Sequence, residues 1–188
     1  MRMLLGLLVC LAVVLTSVPA QAVEGTATIR AQDLYSLAQR KTYRLGIRAG
    51  YISPTASTVS SAYDVTLEFD AKLNENLDTG PRFGLAYYQV TGSDAVSVAK
   101  IGYGARMYLT YWGDYGSSHG FVNVYIDGQA DYYTGQNVSG FGGYGGAGLE
   151  LAFGPNATGY ACAAYQKISG EVPLDGILIQ VGTRLAFI

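Results

Sequence analysis

Two short motifs and one pair of carboxylates have residue types that could support chemistry. Ser118 places a hydroxyl next to His119, the only histidine of the chain. A serine and a histidine are two of the groups that a hydrolase site requires. Such a site needs a base within hydrogen-bond reach of the nucleophile and a third group that orients the base. The pair lies in a Gly/Ser-rich segment that is typical of a turn, and we therefore expect no catalysis from it.

The second motif is residues 140–145 (GFGGYG), which match the G-x-G-x-x-G pattern of dinucleotide-binding proteins. That pattern is meaningful only when a strand precedes it, a helix follows it and an acidic residue stands about 20 positions later. Here residues 149–153 and the Gly-Pro pair after them are typical of a strand and a turn. We interpret the glycines as space for tyrosine and arginine side chains, and we expect no cofactor.

The carboxylates are Glu68 and Asp70, which share one face of a predicted strand and could act as an acid and a base if they were wet and unpaired. The arginines predicted for the same interior favour salt bridges instead. A metal centre is not expected, because His119 and Cys162 are the only histidine and the only cysteine beyond the N-terminal segment. The single cysteine excludes a disulfide framework. The net charge of −2 does not favour nucleic acid as a partner.

The N-terminal segment, residues 1–22, has the three parts of a cleavable signal peptide. Arg2 supplies the positive start, residues 3–18 are almost entirely apolar, and Ala20-Gln21-Ala22 is a small-x-small cleavage pattern. We expect cleavage after Ala22. Pro19 disfavours a retained membrane helix, and the early position of Cys10 in the apolar run disfavours a lipoprotein anchor.

Residues 23–40 are predicted to form an N-terminal extension before a single domain over residues 41–188. Within it, residues 31–39 have the i, i+3, i+4, i+7 spacing of a short amphipathic helix. The extension could lie in the periplasm or plug the domain that follows, and the sequence does not separate these two placements.

The domain itself has the composition and periodicity of a β-sheet. Charged residues make up 14% of the chain, against an ordinary ~25%, while tyrosine reaches 16 and glycine 25. Apolar and polar residues alternate, and only a strand keeps alternate residues on one face. Eight such strands are predicted, over residues 42–52, 62–73, 80–90, 95–112, 120–133, 141–153, 160–168 and 176–187.

The alternating faces predict a membrane barrel, because one face carries nearly all of the charge. No apolar run after the signal approaches the ~18 residues of a spanning helix, so membrane insertion requires a closed barrel. In a membrane barrel the charged face is the lumen. The predicted lumen charge network is Arg44, Arg48, Asp64, Glu68, Asp70, Lys72, Arg82, Lys100, Arg106, Asp127, Asp131, Glu150 and Arg184, with Lys167 placed inside by preference.

The aromatic residues fit the same interpretation, since they concentrate near the ends of strands or on the apolar face. Membrane barrels carry aromatic girdles at both interfaces. The predicted girdle and outward aromatics are Tyr43, Tyr51, Tyr63, Phe69, Tyr87, Tyr111, Trp112, Tyr132, Phe153, Tyr160 and Phe187. The alternative is a soluble barrel with an apolar interior, in which tyrosine reflects only β-propensity.

Two segments resemble a known group of bacterial proteins. Residues 43–54 (YRLGIRAGYISP) look like the first strand of OmpW-like and related "outer membrane protein β-barrel" domains, and residues 142–150 (GGYGGAGLE) resemble a later strand of that group. The resemblance implies an eight-stranded barrel in the outer membrane of a Gram-negative bacterium, inserted by the barrel-assembly machinery. It also implies, for some members, passage of small hydrophobic molecules.

The sequence thus predicts an all-β, eight-stranded antiparallel up-and-down transmembrane β-barrel, located in the outer membrane and working as a monomer among outer-membrane lipids. We expect a structural or binding role with a lumen filled by side chains. A passive, porin-like conduit or binder for a small hydrophobic ligand is the alternative, and it would require an apolar pocket around Ile52, Tyr88 and Val90. A lipid A-modifying enzyme is a further, less favoured alternative, because no nucleophile and base come together in the sequence.

Overall fold

The computed structural model describes residues 43–55, 59–74, 76–92, 94–112, 122–135, 138–153, 157–170 and 175–187. Eight strands cover most of them: β1 (Tyr43–Pro54), β2 (Val59–Asn74), β3 (Leu77–Val90), β4 (Val96–Trp112), β5 (Val122–Gly135), β6 (Val138–Ala152), β7 (Ala157–Gly170) and β8 (Gly176–Phe187). The predicted signal peptide, the extension and the Ser118-His119 pair lie outside the described residues. Within the described ranges, no helix has the length and hydropathy needed to cross a membrane.

The strands form one closed antiparallel barrel, in which each strand pairs with its neighbours in sequence and β1 also pairs with β8. The pairing register that starts at Tyr43 returns to β1 at Ser53 after passing through all eight strands, a stagger of ten residues. Closure leaves no strand edge with unpaired backbone groups. The predicted fold class is confirmed.

The barrel has two ends, which we name by what they carry. The terminal end holds the start of β1 at Tyr43 and the end of β8 at Phe187. The loop end holds the connections β1–β2, β3–β4, β5–β6 and β7–β8, the longest of which spans only five residues between strand bounds. The connections at this end are therefore all short.

Burial follows the two-residue period of the strands. In β2 the inward Thr66 and Glu68 are buried, whereas the outward Leu67 and Phe69 are 43% and 44% exposed. The barrel therefore encloses its polar residues and presents its apolar ones, which is the reverse of a soluble barrel.

Strand β3 begins earlier than the sequence indicates, at Leu77 instead of residue 80. Asp78 lies opposite Lys72 of β2 and opposite Arg106 of β4 in the register. The ladder thus continues past Pro81 toward the terminal end. This extension adds a buried carboxylate, Asp78, to the lumen.

The placement of Lys167 inside the barrel is wrong, because its side chain faces outward and is exposed. The neighbouring inward positions of β7 are Gln166 and Ile168, both buried. Tyr160, which the sequence places among the outward aromatics, lies on this inward face as well and is 5% exposed. The facing of β7 is set by its pairing with β6 and β8, which aligns Gln166 with the inward Tyr144 and Lys167 with Gly143.

Glycines on the inward face make room for the long side chains of the lumen. A Cβ built at Gly104 would lie 2.3 Å from Cζ of Arg82. We predict that Gly104→Ala lowers the free energy of unfolding by about 1–3 kcal/mol, the usual cost of overpacking. Denaturant unfolding of the refolded barrel in lipid vesicles measures this.

The matched control is Gly145→Ala, because a Cβ at Gly145 meets no atom within 4 Å. Both substitutions change the flexibility of the unfolded chain equally, so their difference isolates the contact with Arg82. Equal stability of the two variants would show that the lumen near Arg82 is looser than the structure has it.

Candidate functional site

The charged lumen is the most elaborate polar assembly in the structure, and Glu68 of β2 stands at its centre. Its carboxylate oxygens lie 2.8 Å from an Nη atom of Arg48, 3.7 Å from one of Arg106, 3.8 Å from Nε of Arg184 and 3.9 Å from an Nη atom of Arg82. All five side chains are at most 2% exposed. These arginines come from β1, β3, β4 and β8, so one carboxylate ties four strands to β2.

Two further carboxylates share the same arginines. Asp127 of β5 lies 2.8 Å from Arg82, 3.0 Å from Arg106 and 3.6 Å from Arg48. Asp70 pairs with Arg184 and lies 3.7 Å from Arg82. Because the planar guanidinium group offers five donors in a fixed fork, each arginine can bridge several acids at once.

Toward the terminal end, a second cluster forms around Asp78 and Tyr108. Arg44 donates to Asp78 at 2.5 Å and to the hydroxyl of Tyr108 at 2.6 Å. Arg184 donates to the same two groups at 3.2 and 2.8 Å. Glu150 completes the cluster, 3.2 Å from Arg106 and 3.4 Å from Arg184.

Toward the loop end, the charges become fewer and end beneath an apolar layer. Lys100 pairs with Asp64, while Asp131 accepts from Gln129 and, at 3.1 Å, from Tyr133. Above them lies a cluster of buried apolar side chains from six strands. These include Ile52, Val59, Ala62, Ala86, Tyr88, Val98, Ile168 and Leu178, each 5% exposed or less.

The buried charges nearly cancel. The described lumen holds the cations Arg44, Arg48, Arg82, Lys100, Arg106 and Arg184 and the carboxylates Asp64, Glu68, Asp70, Asp78, Asp127, Asp131 and Glu150. Buried charges are tolerated when they are paired and hydrogen-bonded. Among the described residues, each of these carboxylates lies close to a cation, a hydroxyl or an amide.

Lys72, also predicted for the network, is half-buried at the end of β2, opposite Asp78 in the register. Asp78 itself was not predicted for the site. The period-two pattern could have found it, because Asp78, Gly80 and Arg82 occupy alternate positions of one strand.

Tyrosines fill the space between the ions and bind the arginines through their rings. The guanidinium carbon of Arg106 lies 4.3 Å from the ring centroid of Tyr125 and 4.1 Å from that of Tyr160. Arg48 lies 4.8 Å from the ring of Tyr144. Such cation–π contacts gain strength where water is excluded, and they explain why the polar faces of the strands are rich in tyrosine.

Tyr144 also accepts hydrogen bonds through its hydroxyl, from Arg82 at 2.7 Å and from Arg48. We predict that Tyr144→Phe lowers the free energy of unfolding by about 1.5–3 kcal/mol, because hydrogen bonds to charged groups contribute that much. Thermal or denaturant unfolding in vesicles measures the change.

Tyr51→Phe is the control for Tyr144→Phe. Tyr51 faces outward and is 41% exposed, so loss of its hydroxyl should change stability by less than about 0.5 kcal/mol. If the two variants proved equally stable, the hydroxyl of Tyr144 would contribute nothing to the lumen.

Several of the outward aromatics lie near the strand ends, while others, such as Phe83, lie near the middle of the barrel. At the terminal end, the rings of Tyr43 and Phe187 stack with centroids 6.3 Å apart. At the loop end, Tyr51 packs on Tyr63 at 5.6 Å. Of the other predicted girdle residues, Tyr87, Tyr132 and Phe153 are 38–62% exposed; the side chains of Tyr111 and Trp112 lie outside the described part, although β4 includes their backbone.

The described residues are predicted to hold no metal ion, and their titratable side chains can be compared with that expectation. They contain no group of three or more histidine, cysteine or acidic side chains that could hold a metal ion. Cys162 is buried and free. The arrangement holds strands together from within.

Comparison with known structures places the fold among outer-membrane β-barrels. Neisserial surface protein A matches with a TM-score of 0.60 and 14% identity, over 77% of this chain and 97% of that one. The outer membrane protein OprG from Pseudomonas aeruginosa matches with a TM-score of 0.56 and 12% identity, over 80% of this chain and 98% of that one. At these identities the likeness shows the shared fold alone.

No protein-family model and no curated protein matches the sequence. These comparisons therefore support the resemblance of residues 43–54 and 142–150 only as far as the fold, an eight-stranded outer-membrane barrel. A specific relation to OmpW-like proteins stays a prediction.

Proposed function

We propose that this protein is an integral outer-membrane barrel of structural or binding type, with a lumen that is a filled, charge-paired core. The proposal includes no catalytic role. In this view the chain works as a monomer among outer-membrane lipids, after export and insertion by the barrel-assembly machinery.

The inverted distribution of polarity carries the proposal. Arg48, Arg82, Arg106 and Glu68 are 0–1% exposed, whereas Leu85 and Phe141 are 67% and 71% exposed on the outside. In water such an exterior would form a large contiguous apolar surface, which soluble monomers rarely carry. In a bilayer the same exterior faces hydrocarbon, and closure of the barrel satisfies the backbone.

The conduit alternative receives less support. It requires an apolar pocket near Ile52, Tyr88 and Val90, but Ile52 and Tyr88 are each 1% exposed and pack into the apolar layer at the loop end. Val90 lines a crevice of about 700 Å³ together with Ser60, Gln89, Thr91, Gly92 and Asp94. This lining is mostly polar and suits a hydrophobic solute poorly.

Conductance separates a filled barrel from a conduit. The refolded protein, reconstituted in a planar bilayer, should give no sustained current above that of the lipid, because eight strands enclose only enough space for side chains. A larger, open porin in the same bilayer serves as the positive control. Steady single-channel openings of the wild-type protein would contradict the filled core.

A further inference from the structure

The exterior of the barrel has a shallow groove where β5, β6 and β7 meet. It has a volume of about 470 Å³, is widely open to the outside, and Ala130, Gly143 and Gly145 are among the residues that line it. The register places Gly128 beside Gly145 as well. These four small residues form one patch on the outward face. A Cβ at Gly145 would meet no atom within 4 Å, so the space above it is open.

Aromatic side chains border the groove on two sides. Tyr165 lies opposite Gly145 on β7 and is 50% exposed. Tyr132 and Phe141 lie two positions beyond Ala130 and Gly143 toward the loop end, with ring centroids 5.2 Å apart. The result is a shallow, largely apolar surface on which a flexible hydrocarbon chain can lie against the barrel.

Lys167 stands at this groove, next to Gly143 in the register. Among the described strand residues, it is the only charged side chain on the outward face. No ion pair joins it to another described residue. It lies three positions before Gly170, the end of β7, and thus near the interface, where a lipid-facing lysine costs roughly 0–1 kcal/mol instead of roughly 2–4 at the midplane.

We propose that the groove binds one lipid with an anionic phosphate headgroup. The ammonium group of Lys167 pairs with the phosphate, and one acyl chain lies over Gly143 and Gly145 against Tyr165. Charge complementarity selects this occupant, because the cation stands at the loop end of an otherwise uncharged groove. The inference rests on the proposed function, since it requires the exterior of the barrel to face lipid.

Native mass spectrometry tests the proposal directly. The refolded barrel, in detergent, is mixed with equal amounts of phosphatidylglycerol and phosphatidylcholine that carry identical chains. Wild-type protein should retain the anionic lipid by about threefold over the zwitterionic one, as expected from one exposed ion pair. Lys167→Gln should abolish this preference, and Lys167→Arg should keep it.

A second variant tests the floor of the groove. Gly145→Leu fills the open space without contacting any neighbouring atom through its Cβ, and it should reduce the retention of both lipids. Ala163→Leu is the matched control: Ala163 also faces outward, on β7, but it does not line the groove. It should bind lipid as the wild-type protein does.

The result that overturns the proposal is unchanged lipid retention and unchanged preference in both Lys167→Gln and Gly145→Leu. Dimers in place of lipid adducts would also overturn it, because the groove would then be an interface between two copies. Each variant is first run heated and unheated on a gel. Loss of the heat-dependent shift in the wild-type protein itself would count against the proposed function, and so the two failures are distinguishable.

Discussion

Glu68→Gln lowers the free energy of unfolding by about 3–5 kcal/mol, the cost of removing one partner from a buried ion network. Glu68 lies within 4 Å of Arg48, Arg82, Arg106 and Arg184, and it is 0% exposed. Glutamine has nearly the same shape as glutamate but carries no charge. The positive charge of the four guanidinium groups is therefore less well neutralised. Urea unfolding in vesicles, followed by the fluorescence of the only tryptophan, Trp112, measures the loss.

Two further variants isolate the charge of Glu68. Asp94→Asn removes an exposed carboxylate outside the strands, and it should change stability by less than about 0.5 kcal/mol. The double variant Glu68→Gln with Arg48→Gln should recover part of the loss, because it removes an uncompensated cation. A Glu68→Gln protein as stable as wild type would show that the lumen is wet and its charges independently solvated.

Leu67→Arg destabilises the barrel by about 2–4 kcal/mol if its exterior faces lipid, the cost of arginine at the bilayer midplane. Leu67 lies near the middle of β2, and it is paired with Ile47 of β1 and Phe83 of β3. Its side chain is 43% exposed, so the arginine meets no steric obstacle. The same unfolding experiment in vesicles measures the effect.

Gln89→Arg is the depth control for Leu67→Arg. Gln89 faces outward one residue before the end of β3, where arginine costs about 0–1 kcal/mol. A soluble barrel would accept both substitutions equally, because both side chains would enter water. Equal stability of the two variants would therefore contradict the membrane-facing exterior.

The period-two pattern predicts most of this fold, because one physical rule applies along the whole strand of a closed barrel. Each inward residue of β2, from Asp64 to Asp70, belongs to the polar face, and each outward residue is apolar. The pattern holds along most of β1 and β8 but breaks toward the loop end, where Ile52 and Leu178 are apolar and face inward. It says which face a residue occupies, and thereby which residues enter the lumen.

The pattern fails where neighbouring residues do not contrast in polarity. Residues 161–164 of β7 (ACAA) have no polar member, so the facing of Lys167 could not be read from its own strand. From the sequence, Lys167 is placed in the lumen by preference alone. Pairing with β6 and β8 fixes the opposite facing, and such long-range pairing is not encoded in the local pattern.

The local pattern also does not predict which side chains each lumen residue contacts. The contact of Glu68 with Arg184 joins residues that are far apart in the chain, on β2 and β8, and it depends on the stagger of the closed barrel. The sequence predicts a network of paired charges, whereas the hub at Glu68, the cluster at Asp78 and the apolar layer at the loop end appear only in the structure.

The central claim is that this chain is a closed barrel with its charges inside and lipid outside. Gel mobility of the outer-membrane fraction, compared between unheated and boiled samples in detergent, tests it most directly. The account predicts that the protein is found in that fraction and that boiling changes its mobility, because a closed barrel resists detergent until it is heated. A protein that is soluble in the periplasm, with the same mobility before and after boiling, would contradict the account.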